Sequence, residues 1–295
     1  MSGRLQARLG LVLLVPLVLA CGLAEWIAPR DPTDVDLRRA NLAPQVLRAI
    51  DSSARTRAWL GTDALGRDVL SRLLRGGRSS LAIALAAQSL ALAFGLLLGT
   101  AAGYFGRAPA AAVEGMLQVF GAFPYVLLAL AVRSQLGASR LALALALAAA
   151  GWLTTARVVR GHVRLLRGSG PVEAARAAGA GSGQILKRHV WPALIGPLAV
   201  LGSWGLARAL LAESALSYLG IGVVPPQPSW GHMLRTDLVP LLYGGGAWWA
   251  AVFPGMALVA AILGFQLLGD TLAETRQRSD PTARRGSFWP FGRNR

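Results

Sequence analysis

Histidine and cysteine, the residues that most often carry metal or redox chemistry, are few in this chain and stand far apart. The three histidines and the single cysteine are His162, His189, His232 and Cys21. Metal and redox sites need several such residues at short spacing, and these four form no such set. The only lysine, Lys187, lies between Leu186 and Arg188, whereas a phosphate-binding loop needs Gly-Lys followed by Ser or Thr. We therefore expect no metal, no cofactor and no ATP hydrolysis by that route in this chain.

Two charged residues, Arg208 and Glu213, stand in sequence that is otherwise apolar. A charge within a membrane is costly, so such residues face the interior of a helix bundle, a water-filled path or each other. Their i,i+5 spacing is poor for a direct pair on one helix. Pro197 and Pro254 also lie in apolar stretches, where each removes a helical hydrogen bond and favours a kink. We identify these four residues as candidates for a pathway or gate, and a structural role for each stays open.

A polar and basic segment, Pro171–Pro192, interrupts the apolar sequence. Ser169 can cap a short helix whose first turn holds a proline and Glu173. Gly179 is suited to end this helix in the left-handed conformation, and a second helix is predicted from about residue 184 to 191, closed by the final proline. A helix this short is marginal alone in water. Its alanine-rich face and single outward carboxylate favour docking in a groove on another protein, with a plain helical connector as the alternative.

The elements that position these residues are predicted from composition. Apolar residues make up 54% of the chain, charged residues 15%, and the mean hydropathy is +0.48. About 20 apolar residues span a bilayer as a helix. Runs near this length occur at Leu9–Ala28, Leu81–Ala102, Val113–Val132, Leu141–Ala156, Ala193–Leu211 and Ala247–Leu268. Because the sequence lacks the alternation of apolar and polar residues that is typical of a membrane β-barrel, we predict an all-α integral membrane protein with about six transmembrane helices.

Basic residues orient the predicted helices. They cluster before the first apolar run, between the fourth and fifth, and after the last: Arg4, Arg8; Arg157, Arg160, Arg164, Arg167, Arg176, Lys187, Arg188; Arg276, Arg278, Arg284, Arg285, Arg293, Arg295. An even number of spans puts all three clusters on one side, which the positive-inside rule makes the cytoplasm. The arginine-rich segment Arg30–Arg78 then falls outside, against the rule, although its length and its aspartates weaken the objection. The net charge of +16 is interpreted as orientation signal and attraction to anionic headgroups, not as a nucleic-acid interface.

These assignments divide the chain into four parts. Residues 1–28 form an N-terminal tail and first transmembrane helix, and residues 29–80 form an extracytoplasmic segment with an amphipathic helix. Residues 81–270 form a five-helix core that contains the cytoplasmic loop 157–192, and residues 271–295 form a basic cytoplasmic tail. The first run ends near Cys21 in a way that resembles a lipoprotein signal, but its length favours an uncleaved helix.

Three further patterns concern packing. In the segment Gly61–Leu81, Thr62 or Asp63 can cap an amphipathic helix that lies in the membrane interface and leads into the second span, with a gating role as the alternative. A stripe of small residues, Gly95, Gly99 and Gly103, allows close approach of a helix from this chain or from a partner. The Gly- and Pro-rich loop after Glu213 predicts a folded cap anchored by Trp230.

Three motifs together resemble the ABC importer permeases of the dipeptide, oligopeptide and nickel family, C-type subunit. They are the segment Glu173-Ala174-Ala175 with Gly179 and the end His189-Val190-Trp191-Pro192, then GTDALGRDVLSRLLRGGRSSL (Gly61–Leu81), and ESALSYLGIGVVPPQPSWGHML (Glu213–Leu234). The first is similar to the cytoplasmic EAA loop of these permeases. Trp191 and Ala193 depart from the usual pattern, which affects the packing of the second loop helix.

The resemblance implies the fold of a type I ABC importer transmembrane domain in the bacterial inner membrane. It implies contact with an ATPase for Glu173, Ala174, Ala175, Gly179, His189 and Pro192. It implies an extracytoplasmic signature at Gly61, Thr62, Asp63, Gly66, Arg67, Asp68, Trp230 and Gly231. The implied partners are membrane lipid, a homologous permease subunit, two ATPase subunits that bind ATP and Mg, and an extracytoplasmic substrate-binding protein.

The function expected from the resemblance is import of peptides by alternating access, with nickel or another small solute as the alternative cargo. A rival class is an intramembrane enzyme, which needs catalytic groups that converge inside the spans. The three histidines fall in predicted loops, which disfavours that class. A passive channel is a further alternative, although the sequence contains no recognisable filter.

Overall fold

The structure is a computed structural model that describes residues 3–45, 58–137, 139–242 and 247–279. In chain order the helices are α1 (Gly3–Gly22), α2 (Ala24–Ile27), α3 (Val69–Tyr104), α4 (Arg107–Gly121), α5 (Tyr125–Leu136), α6 (Arg140–Arg167), α7 (Gly170–Ala177), α8 (Ser182–Ile185), α9 (Trp191–Tyr218), α10 (Trp230–Leu242) and α11 (Trp248–Ser279). A 3-10 turn covers Leu37–Arg39. Asp51 and the tail arginines Arg284, Arg285, Arg293 and Arg295 lie outside the described residues.

Five helical segments are long and apolar enough to cross a membrane, or six if the bent pair α4 and α5 is counted as one span. The other five are α1, α3, α6, the run Ser182–Tyr218 and the run Trp248–Arg276. The prediction of an all-α membrane protein with about six transmembrane helices is confirmed for the described residues.

The third predicted span, Val113–Val132, is not one continuous helix. The helix α4 ends at Gly121, α5 begins at Tyr125, and their axes differ by 96°. Pro124 takes the N-cap position of α5, where its missing N–H breaks no hydrogen bond. Pro197 and Pro254 lie inside α9 and α11, and both helices run without interruption.

The helices α3 and α6 pack closely and run in the same direction. A Cβ at Gly95 would overlap Thr155, one at Gly99 would lie 2.8 Å from the Val159 Cβ, and one at Gly103 would lie 2.8 Å from the Val163 Cβ. The small-residue stripe therefore packs within the chain, which answers the question that the sequence left open. The chain crosses back between these two parallel helices through α4 and α5.

The remaining helices complete a bundle with two distinct ends. The helix α1 runs antiparallel to α11, with Gly10 against Gly264 and Leu268. We call the end that holds residues 168–190 the loop end, and the end that holds residues 58–68 and 219–231 the signature end.

The prediction of an interfacial helix at the signature end is wrong. Residues 61–68 form a turn closed by a bridge between Thr62 and Asp68, and neither Thr62 nor Asp63 caps a helix. Asp68 is the N-cap of α3, because its carboxylate accepts from the Ser71 N–H at 2.8 Å. The apolar face predicted for a separate helix belongs to the first turns of the span.

Candidate functional site

The short helix α7 forms at the loop end as the sequence predicts, with a well-defined terminus. Gly179 has φ +82°. Its N–H donates to the Arg176 carbonyl, and the Ala180 N–H donates to the Ala175 carbonyl, both at 3.0 Å. These two bonds are the Schellman pattern that a left-handed glycine permits. Ser169 occupies the N-cap position, but its hydroxyl donates back to the Leu166 carbonyl instead of capping the helix.

An apolar cluster fastens the loop to three spans. Val172 from α7, with Ile185, Leu186 and Val190 from the second half of the loop, is buried against side chains from α3, α6 and α9, namely Tyr104, Val159, Val163 and Leu194. Val172 and Ile185 are each 1% exposed. Full burial of one such aliphatic side chain stabilises by about 1.5–3 kcal/mol. The loop is therefore a packed part of the bundle.

The other face of α7 is open. Glu173, Ala174, Ala177 and Ala178 are exposed, and Ala175 is half-buried at the edge of the cluster. Glu173 lies in the first turn, where the N-terminal end of the helix dipole favours a negative charge. The result is a small, smooth surface with one carboxylate, displayed by a helix with a fixed base.

The second half of the loop differs from the prediction, because no helix closes at Pro192. The chain is helical from Ser182 to Tyr218 and passes through Pro192 after a π-helical turn at Leu186–Val190. The wider turn lets the Trp191 N–H donate to the Leu186 carbonyl. It also accommodates Pro192, which has no N–H to donate to the preceding turn. His189 is half-buried in this turn and Pro192 is exposed.

At the signature end, the turn 61–68 is built around a buried carboxylate. Asp63 is fully buried and accepts from the N–H groups of Leu65 and Arg67, at 2.9 and 3.0 Å. Its second oxygen accepts from the Arg67 Nε at 2.8 Å and from the Arg72 guanidinium. Asp68 stands four residues before Arg72 but does not pair with it, because the Asp68 carboxylate caps α3 and the Arg72 guanidinium donates to Asp63.

Arg72 also faces Asp237 on α10, with 3.5 Å between its Nη1 and the Asp237 Oδ2. Burial raises the pKa of the Asp237 carboxyl to about 6, although the positive charge of Arg72 opposes the shift. The pKa of His232 is lowered by burial and by the charges of Arg72 and Arg67. Sequence reasoning missed this cluster because no local spacing links α3 to α10.

The signature glycines and tryptophan hold this end together. A Cβ at Gly61 would lie 2.6 Å from the Leu42 carbonyl oxygen, and one at Gly66 would overlap the Asp36 carbonyl. Trp230 is fully buried, and its Nε1 donates to the Leu73 carbonyl at 3.0 Å, so it anchors the loop as predicted. A Cβ at Gly231 would overlap the Ser214 backbone. Thr62 is fully buried, and its hydroxyl donates to the Arg39 carbonyl.

Glu213 lies among serine hydroxyls from three elements. Ser214 and Ser217 donate to its carboxylate at 3.3 and 2.8 Å, and the hydroxyls of Ser80 and Ser229 lie near it. Three of these hydroxyls also accept backbone N–H groups from elsewhere, as Ser217 does from Val223 at 3.1 Å. Glu213 has no exposed surface, so its carboxylate serves this internal network in the structure.

Arg208 differs from Glu213 in its surroundings. It is exposed on a spanning helix, and its Nη1 donates to the Thr154 hydroxyl on α6 at 3.3 Å. Pro197 and Pro254 are buried in their helices. The four pathway candidates therefore do not form one cluster.

The fold defines the class of protein as a multi-span helical membrane protein. The structure resembles the MetNI methionine ABC transporter in an inward-facing conformation, with a TM-score of 0.51 and 20% identity, over 69% of this chain and 95% of that one. This likeness supports the type I ABC importer fold.

Sequence comparison gives the family. The model of the family described as "Binding-protein-dependent transport system inner membrane component" matches residues 95–278, and the chain belongs to this family. The chain is 35% identical over 271 residues to a permease protein of Brucella suis biovar 1 that is named for a peptide transport system, covering 92% of this chain and 87% of that one. It is 34% identical over 270 residues to the di/tripeptide transport system permease protein of Pseudomonas aeruginosa, covering 91% and 87%. The resemblance inferred from the three motifs is confirmed: this chain is a multi-pass permease subunit of an ABC importer.

Proposed function

We propose that this permease imports short peptides across the bacterial inner membrane. The proposed complex contains a homologous permease subunit and two ATPase subunits, and it receives cargo from an extracytoplasmic binding protein. The names of relatives at about a third identity over most of the chain support peptide cargo. Nickel or another small solute is the alternative within the same family.

The observation that carries the coupling role is the contrast between the two faces of α7. Buried Val172 and Ile185 tie the loop to three spans, while Glu173 and the alanine face stay open. A groove in an ATPase subunit would receive this face, and closure of the ATPase pair would displace the loop and the spans together. Because the loop is packed on α3, α6 and α9, it transmits displacement as a unit.

The proposed orientation places the loop end in the cytoplasm, with both chain termini. Arg160, Arg164 and Arg167 near the end of α6 support it, as do Lys187 and Arg188 in the loop. The signature end then faces the binding protein. Arg208, exposed in a spanning helix, is the pathway candidate that the geometry favours, because an exposed charge there needs water or a partner.

The coupling proposal is tested in the reconstituted complex with Glu173→Lys. We expect cargo-stimulated ATP hydrolysis and uptake to fall together, because a positive side chain opposes the helix dipole and reverses the charge of the docking face. Gln184→Lys, an exposed site beyond the Gly179 turn, is the control for added charge. If Glu173→Lys keeps both activities at the level of the control, α7 is not the coupling element.

Cargo is tested separately, by uptake of a labelled tripeptide and of nickel into proteoliposomes that contain the complete complex and its binding protein. We expect ATP-dependent uptake of the tripeptide only. Uptake of nickel without tripeptide uptake would reject peptide cargo and leave the coupling proposal standing.

A further inference from the structure

A cavity of about 650 Å³ opens at the signature end, between the ends of α3 and α6 and the proline-rich loop. Its upper rim carries three arginines, Arg75, Arg78 and Arg140, and two carboxylates, Glu25 and Asp31. Arg78 pairs with Glu25. Among the described residues, Arg75 and Arg140 have no carboxylate within the 4.0 Å of an ion pair, although the charge of Arg75 does act on Asp31. Three arginines against two carboxylates leave the rim one positive charge in excess.

Two polar groups in the cavity lack partners. Ser79, which lines the cavity, is only 5% exposed, and its hydroxyl makes no hydrogen bond to any described residue. The Nε of Arg75, one helical turn earlier, is likewise buried without a partner among those residues. Buried polar groups are normally satisfied, so a serine hydroxyl and a guanidinium that share one cavity indicate a missing acceptor. An anionic oxygen is the acceptor that both donors favour.

The lower wall of the cavity is apolar and lies along the spans. It contains Ala82, Ile83 and Ala86 of α3, with Leu141 and Ala144 of α6. Ala86 lies about 16 Å along the helix from Arg75, at 1.5 Å per residue. Ala82, Ala86 and Leu141 are exposed at the side of the bundle, so this part of the cavity is open laterally.

We propose that this cavity binds an anionic phospholipid, with the phosphodiester at Arg75, Arg140 and Ser79 and an acyl chain along the alanine wall. A phosphate above a hydrocarbon chain fits a charged rim above an apolar, laterally open wall. A peptide carboxylate shares the anionic chemistry, but the apolar wall offers no partners for the hydrogen-bonding groups of a peptide backbone. The headgroup would join α3, α6 and the proline-rich loop, because Arg140 also donates to Gln227 of that loop.

The test uses the full-length chain in neutral detergent, titrated with palmitoyl-oleoyl phosphatidylglycerol or with phosphatidylcholine of the same chains, and read by native mass spectrometry. We expect phosphatidylglycerol to bind more tightly. Arg75→Gln and Arg140→Gln are each expected to weaken its binding about fivefold, and the double variant about 25-fold. Arg38→Gln, an exposed arginine at the same end and outside the cavity, is the matched control.

Two further arms separate the sources of the anion. Ala86→Trp fills the apolar wall and is expected to weaken phosphatidylglycerol binding while the arginines stay intact. Glycerol phosphate and a tripeptide are added as competitors, and neither is expected to displace the lipid. Displacement by the tripeptide would assign the cavity to cargo, and displacement by glycerol phosphate would reduce it to a simple anion site; either result overturns the proposal.

Equal binding of the two lipids, or equal binding by the double glutamine variant and Arg38→Gln, also overturns it. Gel filtration checks that each variant is folded. If the double glutamine variant does not fold, the double variant Arg75→Lys and Arg140→Lys replaces it, which keeps the charges and is expected to retain the lipid preference. The expected loss of phosphatidylglycerol binding is then measured with Ala86→Trp.

Discussion

The glycine that ends α7 allows a prediction worked from backbone geometry alone. Gly179 has φ +82°, whereas Gly181, two residues on, has φ −70°. Both are exposed, and an added Cβ would meet nothing within 4 Å at either position. Alanine at 179 therefore introduces only left-handed backbone strain, about 1–2 kcal/mol, and alanine at 181 introduces none. The strain corresponds to about a 5- to 30-fold change in the population of the opened helix end.

Hydrogen exchange at the Ala180 amide measures this opening directly, because that N–H donates to the Ala175 carbonyl only when the helix end is formed. We expect Gly179→Ala to speed its exchange about 5- to 30-fold, and Gly181→Ala to leave the rate unchanged. Gly179→Asn is expected to lie between them, because asparagine tolerates the left-handed region. In the complete complex, cargo-stimulated ATP hydrolysis is expected to fall in the same order.

Equal exchange rates in Gly179→Ala and Gly181→Ala would refute this reasoning, because the two sites differ mainly in the sign of φ. Altered exchange with unchanged ATP hydrolysis would support the strain calculated for Gly179→Ala but would reject a role of the fixed helix end in coupling.

Three other sites give matched predictions. Ile185→Ala removes a buried anchor of the loop, so it is expected to destabilise the packing of the loop by about 2–5 kcal/mol and to uncouple ATP hydrolysis from cargo. The exposed control Gln184→Ala is expected to do neither. Equal activities of the two variants would contradict the anchoring role. Gly99→Val forces α3 away from α6, so it is expected to destabilise the chain by about 1–3 kcal/mol and to lower its melting temperature in detergent. In the control Gly115→Val the new side chain meets open space. Equal melting temperatures of the two variants would contradict the close packing. The third concerns Asp237, whose pKa of about 6 lies above its ordinary value of 3.8. The folded chain holds this proton more tightly, so the carboxyl adds stability at low pH that is lost as pH rises through about 6, by at most roughly 3 kcal/mol. Asp237→Asn is expected to remove this component from the change in melting temperature between pH 7.5 and 5, and identical pH profiles would contradict the assignment.

The pH comparison needs the variant because other groups titrate in the same range. His232 faces the same cluster with a lowered pKa, and its contribution to stability falls as pH falls, opposite to that of Asp237. His232 is present in both proteins, so the difference between their profiles isolates the carboxyl.

Sequence alone predicted the features that depend on local chemistry. The proline and glutamate in the first turn of α7 and the left-handed Gly179 follow from short-range rules, and the structure has them. The burial of Trp230 was also expected, because its loop is too rich in glycine and proline for a long helix.

Features set by tertiary packing were missed. A local rule made Thr62 or Asp63 a helix cap, but Asp63 is taken by Arg72, which in turn faces an aspartate on a helix far along the chain. Pro192 should end a helix by its missing N–H, but a π-helical turn absorbs the defect, and local propensity gives no sign of that. The stripe at Gly99 was visible, but only the fold gives it a neighbour in α6.

The 96° bend between α4 and α5 has a consequence for what surrounds the chain in a membrane. The two helices are about 22 and 18 Å long at 1.5 Å per residue, each shorter than the roughly 30 Å hydrocarbon layer. Residues 121–124 at the bend are all exposed, and the first three N–H groups of α5, those before Leu128, have no intrahelical acceptor. Lipid tails offer no hydrogen bonds to such groups. Either water or another polypeptide must therefore meet the chain at this bend, because lipid tails alone would leave these backbone groups unsatisfied.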